Sequence, residues 1–181
     1  MVTTPVLLSF GANIGETVLT LLKAVHALPL RAGFDVTKVS SLYETEPVGY
    51  TEQPAFVNIC VMGCTTLNAH DLRRALHEVE RECGRLHRPR WHEREIDIDI
   101  LLFGNDTVES EELTIPHPRM HERRFVLVPA CEIAPQMLHP PTQKTIADLL
   151  RECSDISSVH VMDQHARMWK EETAGLLPDE D

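Results

Sequence analysis

The chain has 181 residues, 43% of them hydrophobic and 25% charged, enough for one domain to bury a full core without disulfide or metal support. Its formal net charge of −11 argues against nonspecific nucleic-acid binding, which needs a basic footprint to neutralise phosphates. No apolar run approaches the ~20 residues that span a bilayer, and the opening Met1-Val2-Thr3-Thr4-Pro5 lacks a basic leader, so a cytoplasmic protein without a membrane partner is expected. Val6 to Phe10 reads as a buried strand that breaks at Gly11-Ala12-Asn13-Ile14-Gly15, and Val18, Leu21, Leu22, Val25 and Leu28 then recur at helical spacing. Phe34 to Leu42 has strand character, and Phe56 to Met62 predicts a second strand suited to pair with it. The intervening stretch, Glu44 to Pro54, is long enough to be a binding loop.

Asn68 with Asp71 three residues on has the pattern of a capping box, and Leu72, Leu76 and Val79 carry a helix to a stop at Gly84. Ile96 to Phe103 is a strand closed by Gly104-Asn105. Beyond Pro116, Phe125 to Pro129 begins a helical or irregular segment, and Ile146, Leu149 and Leu150 mark a short helix. From about Ser154 the chain is polar and is expected to be mobile surface. The order strand, helix, strand, strand, helix, strand predicts an α+β fold with a ferredoxin-like βαββαβ core, an antiparallel sheet with helices on one face. The expected organisation is a monomer with a domain over 1–153 and a polar tail over 154–181. The five cysteines, Cys60, Cys64, Cys83, Cys131 and Cys153, are odd in number and scattered, which fits reduced structural thiols.

Residues two apart on a strand point the same way, so Asp97 and Asp99 share one face while Ile96, Ile98 and Ile100 share the other. With the isoleucines in the core, the carboxylates lie on the open side, where like charges repel unless cations sit between them. Magnesium suits such a pair, because it takes one or two carboxylates and completes its shell with water and phosphate oxygens. Alternation alone equally describes a solvated sheet face. The neighbours shift the weight. Residues 85–94 carry four Arg and one Glu, and residues 117–124 carry three Arg and one Glu, two basic islands on an acidic body. Guanidinium forks match phosphate oxygens, and carboxylates for metal beside arginines for phosphate make the inventory of a polyphosphate site. A surface ion-pair network, drawing on Glu80, Glu82, Glu93 and Glu95, is the competing reading. The segment Gly11 to Gly15 lacks both the P-loop ending and the dinucleotide GxGxxG, and reads as a tight turn under a pocket.

The most specific pattern is Arg90-Trp91-x-x-Arg94-x-x-Asp97-x-Asp99-Ile100-Leu101. Upstream stand Gly11-x-Asn13, Tyr43-x-Thr45-x-Pro47-x-Gly49, Gln53-Pro54, Phe56-x-Asn58 and Glu80-x-x-x-Gly84-Arg85. Downstream stand Leu113-Thr114-Ile115-Pro116-His117-Pro118 and Arg123-x-Phe125-x-Leu127-x-Pro129. In motif order and spacing, roughly residues 5 to 150 resemble the 6-hydroxymethyl-7,8-dihydropterin pyrophosphokinase family. The resemblance implies transfer of pyrophosphate from ATP to the pterin in folate biosynthesis, with AMP as the other product. It implies two magnesium ions on Asp97 and Asp99, and phosphates bound by Arg85, Arg94, His117 and Arg123, with Arg90 in a mobile loop. The catalytic group is then Arg85, Arg94, Asp97 and Asp99. The pterin is implied between Phe56 and Phe125, with Thr45 and Asn58 at its edge, Val48 beside it and Trp91 closing over it. His77 and Glu80 are implied near the nucleotide, to which Trp91 also contributes, and Ile100 and Thr114 line its adenine pocket. The chain departs from the usual family residues at Glu46, Phe56, His92-Glu93 and Glu95.

Two other readings belong to different classes. A ferredoxin-like sheet that binds RNA displays aromatic and basic residues where this one places Asp97 and Asp99. A two-metal phosphohydrolase would need no acceptor alcohol. No residue stands out as a general base.

Overall fold

The computed structural model describes residues 2–47, 53–86 and 94–178. β1 (Thr4–Ala12) leads into α1 (Thr17–Arg31), in which Val18, Leu21, Ala24, Val25 and Leu28 are buried. That is the face set by the 3.6-residue period. β2 (Phe34–Val39), β3 (Tyr43–Thr45) and β4 (Phe56–Thr65) follow. α2 (Ala69–Glu82) starts at Asn68, whose side chain accepts from Asp71 N, and buries Leu72, Leu76 and Val79. β5 (Asp97–Phe103) completes the predicted core order. A short hairpin of β6 (Val108–Glu109) and β7 (Thr114–Ile115), a 3-10 turn at Met120–Glu122, and α3 (Arg124–Ile133) come next. A second hairpin, β8 (Leu138–His139) and β9 (Lys144–Thr145), leads to α4 (Ile146–Glu152), then β10 (Val159–Val161) and α5 (Asp163–Ala174).

Among the described residues the main sheet has six strands, in the order β10-β3-β4-β1-β5, with β2 also paired to β4, and every pairing in it is antiparallel. Alternation splits its side chains between two cores. Val6, Leu8, Phe10, Val57, Ile59, Val61, Ile98 and Ile100 pack with α1 and α2 on one face. On the other face Leu7, Cys60, Leu101 and Leu102 pack with α3 and α4, which adds helices to a side that the six-element core leaves bare. The register shifts where Leu7 faces Leu102 and Leu8 faces Ile100, leaving Leu101 as the extra residue of a β-bulge. Leu101 and Leu102 therefore both reach the second core, while Asp97 and Asp99 stay on the open part of that face. Gly63 sits where Phe34 crosses β4: a Cβ there would lie 2.3 Å from a Phe34 ring carbon and from Asp35 O.

Three expectations are corrected. The stretch Phe34 to Leu42 is not one strand, because Ser40 interrupts the ladder: its N donates to Cys60 O, but Cys60 N donates to the Ser40 hydroxyl instead of the backbone carbonyl. Gly11 lies within β1 and not in the turn, which is left to Asn13 through Glu16, with Gly15 at φ 70°. The third concerns the segment expected to be mobile polar surface. It carries β10 on the β3 edge and α5 against α1, with Trp169 only 3% exposed and its indole N–H donating to Ser40 O at 2.9 Å. One large buried side chain and three paired strand residues outweigh the polar composition around them.

Candidate active site

The site lies on the second sheet face, beside α3, and begins with a close approach of strands. Gly11 stands opposite Asn58 on β4 and Asp97 on β5. A Cβ on Gly11 would lie 2.9 Å from the Asn58 side-chain oxygen, so the missing side chain makes room for that amide. Asn58 donates in turn to the Thr45 hydroxyl at 2.7 Å, both residues being buried. Thr45 pairs across the sheet with Phe56, which places an aromatic ring beside this polar pair.

Asp97 is gripped by two arginines. Arg94 Nη1 lies 2.8 and 2.6 Å from its two oxygens, and Arg85 Nη2 lies 2.7 Å from Oδ1. Burial pushes the Asp97 carboxyl above the ordinary carboxylate range, Arg94 and Arg85 pull it down, and Asp99 adds to the rise. For Arg85, burial is outweighed by the carboxylates of Asp97 and Glu80, which raise it. Asp99 is held far more loosely, with its side chain 53% exposed and His117 Nε2 at 4.0 Å. His117 is fixed by its backbone N–H to Leu101 O. Burial lowers its pKa, with Arg123 and Arg119 acting in the same direction and Asp99 opposing, so the ring is neutral at pH 7. Arg123, at the N-terminus of α3, sits 5.7 Å from the Phe125 ring centre. Burial and Arg119 lower its pKa, yet a guanidinium stays protonated.

These residues divide a cleft into two lobes. The first, about 360 Å³, is lined by Thr45, Phe56, Asn58, Arg123 and Phe125. The second, about 380 Å³, is lined by His77, Arg85, Ile100, Leu113 and Thr114, with Arg73 at its rim. Arg94, Asp97, Asp99, His117 and Pro118 line both. Glu80 lies behind the wall and not on it. It is 1% exposed and binds Ile98 N at 2.7 Å and His77 Nδ1 at 2.8 Å, with Arg85 on the same carboxylate. Its observed work is to hold Arg85 and the start of β5. Val48, Arg90 and Trp91 lie outside the described residues, as does the loop expected to carry Arg90.

Asn13 and Gln53 appeared in the sequence motifs without a role. Asn13 is buried and ties three segments together: it donates to Gln53 Oε1 and Pro54 O and accepts from Arg94 N at 2.8 Å, while its own N–H reaches Arg94 O. The motif flagged it, but only the fold shows that its amide sets the backbone of Arg94. Ser9, Glu46 and Arg119 also line the first lobe; the sequence marks Glu46 only as a departure and Arg119 only as part of the second basic island, and no pattern singles out Ser9.

Among the described residues no three His, Cys, Asp or Glu side chains are grouped to hold an ion by themselves. Two carboxylates on one strand face, one of them half open, fit a hard cation that completes its shell with water and phosphate oxygens, which is the habit of magnesium.

Fold and site together define a ferredoxin-like α+β domain with a two-lobed cleft whose junction is built from aspartate, arginine and histidine. The chain belongs to the 7,8-dihydro-6-hydroxymethylpterin-pyrophosphokinase (HPPK) family, whose profile matches residues 7–135. It is 46% identical over 130 residues to the 2-amino-4-hydroxy-6-hydroxymethyldihydropteridine pyrophosphokinase of Bacillus subtilis (strain 168), covering 72% of this chain and 78% of that one. It is 37% identical over 148 residues to the enzyme of the same name from Haemophilus influenzae, covering 82% and 92%. The fold matches a crystal structure of Plasmodium falciparum HPPK-DHPS with pterin and p-hydroxybenzoate at a TM-score of 0.67 and 19% identity. That match covers 84% of this chain and 42% of the Plasmodium chain, so the present chain spans less than half of that solved protein.

Proposed function

We propose that this chain transfers a pyrophosphoryl group from ATP to the hydroxymethyl group of 6-hydroxymethyl-7,8-dihydropterin, releasing AMP, in folate biosynthesis. The observation that carries the reading is the junction of Arg94, Asp97, Asp99 and His117 shared by two lobes, one aromatic and one beside α2. Such a junction suits a reaction in which a group passes between two bound molecules. The pterin hydroxyl oxygen forms a bond to the β-phosphorus as the bond to the oxygen bridging α and β breaks. AMP departs with that oxygen and the hydroxyl proton is released.

The flat pterin lies in the first lobe, with Phe56 and Phe125 supplying ring faces and Asn58 and Thr45 its polar edge. ATP lies in the second, with Ile100 and Thr114 beside the adenine and His77 near the nucleotide, while Arg85, Arg94, His117 and Arg123 take the phosphates. Glu80 acts through Arg85. Val48, Arg90 and Trp91 keep the roles the family resemblance implies, at the pterin, at the phosphates and over both ligands. Two magnesium ions at Asp97 and Asp99 would supply charge neutralisation at the phosphates. Before ATP arrives, Asp97 neutralises Arg85 and Arg94; phosphate oxygens offer those guanidinium groups a second anionic partner. The proposed catalytic residues all lie within 1–153, and 154–181 packs onto that unit through β10 and α5. Free cysteines at all five positions support a reducing cytoplasm, and the charge of −11 supports a monomer without a nucleic-acid partner. No helix among the described residues is long and apolar enough to cross a membrane.

Incubation with ATP, magnesium and the hydroxymethyl dihydropterin tests the reading. AMP and the pterin diphosphate should appear in equal amounts, and neither without pterin. ADP rising in step with pterin loss would overturn it, and ATP consumption indifferent to pterin would favour a phosphohydrolase.

A further inference from the structure

The residues after α4 lie beyond the family-matched region, yet they touch both walls of the first lobe. At one end, the Asp155 carboxylate accepts from Arg124 N at 2.9 Å. Arg124 is the first residue of α3 and stands between Arg123 and Phe125, and the α3 N-cap, Arg123, supplies no side-chain cap of its own. Asp155 thus satisfies a helix N-terminal donor from a distant part of the chain. Its other oxygen accepts from Ser157 N at 2.9 Å and from the Ser157 hydroxyl, which stiffens the segment just after it.

At the other end, Val159 pairs with Thr45 and Val161 with Tyr43, and Met162 N donates to Leu42 O. Between the two ends, the Ser158 hydroxyl donates to Glu46 Oε1 at 2.8 Å. Glu46 lines the first lobe next to Thr45. Seven residues, Asp155 through Val161, therefore connect the wall that carries Phe125 and Arg123 to the wall that carries Thr45 and Glu46.

We infer that this segment is a strap that sets the width of the pterin lobe, with Asp155 and Ser158 as positioning residues at its two attachments. Neither residue lines the lobe, so each acts through the backbone of Arg124 or the carboxylate of Glu46. The inference rests on the pterin reading of that lobe. The strap should matter more for pterin than for ATP, because Arg123 is only one of the side chains proposed for the phosphates, and Arg85, Arg94 and His117 line the second lobe.

The test is steady-state kinetics of full-length Asp155→Ala, Ser158→Ala, the double variant and Asp155→Asn. Each single Ala variant should raise KM for pterin roughly 3- to 10-fold, the equivalent of about one hydrogen bond, with KM for ATP changing less than about 2-fold. The double variant should show no more than the larger single effect, since either change releases the same strap. Asp155→Asn, which keeps one acceptor, should fall between wild type and Asp155→Ala. Unchanged pterin KM in both Ala variants, or equal rises for pterin and ATP, would overturn the strap. If Asp155→Ala fails to fold, the partly exposed Ser158→Ala decides alone on the same criteria. A wild-type protein that makes no AMP from ATP and pterin would sink the pterin reading itself, a result separate from any of these.

Discussion

Asp97 and Asp99 sit two residues apart on one strand face, but the structure holds them differently, and their substitutions should separate. Both Asp97→Asn and Asp99→Asn remove a carboxylate proposed to hold metal, so turnover should fall more than about 100-fold in each, given the several kcal/mol such charge neutralisation supplies. Stability should diverge. Asp97 is the shared partner of Arg85 and Arg94, and its loss leaves two half-buried guanidinium groups with weaker acceptors, a cost of about 1–3 kcal/mol. Asp99 is half exposed, with His117 Nε2 at 4.0 Å, so Asp99→Asn should stay within about 0.5 kcal/mol of wild type. Thermal melting beside an activity assay reads both halves. Activity retained in both variants would mean that the pair is only a solvated strand face.

At the scale of an element, α4 offers a clean pH dependence. Thr145 and Asp148 form a reciprocal capping box at its start, the Thr145 hydroxyl accepting from Asp148 N and the Asp148 carboxylate accepting from Thr145 N. The hydrogen bond from the Thr145 hydroxyl, with help from Arg151 and the Thr145 N–H, lowers the Asp148 pKa from 3.8 to about 2. A carboxyl lowered on folding stabilises the native state above its unfolded pKa, and that contribution fades as pH falls from about 4 to about 2. Asp148→Asn should therefore lower the melting temperature near pH 6 but have less effect near pH 2. A melting difference that does not change with pH would show that the carboxylate is not the source. The wide stripe on α1 and the Asn68 cap on α2 follow the same local rules and were both legible in sequence.

Across the whole molecule, α5 acts as a fastener. Trp169 is buried against α1 in the main core, and its N–H takes the Ser40 carbonyl at the point between β2 and β3 where pairing with β4 breaks. Trp169→Ala should destabilise by about 3–5 kcal/mol, the usual cost of deleting a buried aromatic side chain. Trp169→Phe keeps most of the volume and should lose nearer 1–2 kcal/mol, much of it from the unpaired Ser40 carbonyl. Chemical denaturation of the three proteins checks the order, and a Trp169→Ala protein as stable as wild type would return the segment to loose surface.

The sequence alone determined the βαββαβ order, the two core helices, and the residues that meet at the junction of the cleft. Each of these is written along the chain, as a 2.0 or 3.6 period, a cap three residues long, or a motif of fixed spacing. The tertiary structure alone decided that Ser40 splits one predicted strand into two, because its hydroxyl takes Cys60 N and its carbonyl takes an indole 129 residues away. It alone turned Glu80 inward to Ile98 N and Arg85, and set Asp155 on Arg124 across 31 residues. A buried polar group needs a partner, but nothing in its local pattern says which distant donor or acceptor the packed chain will bring to it.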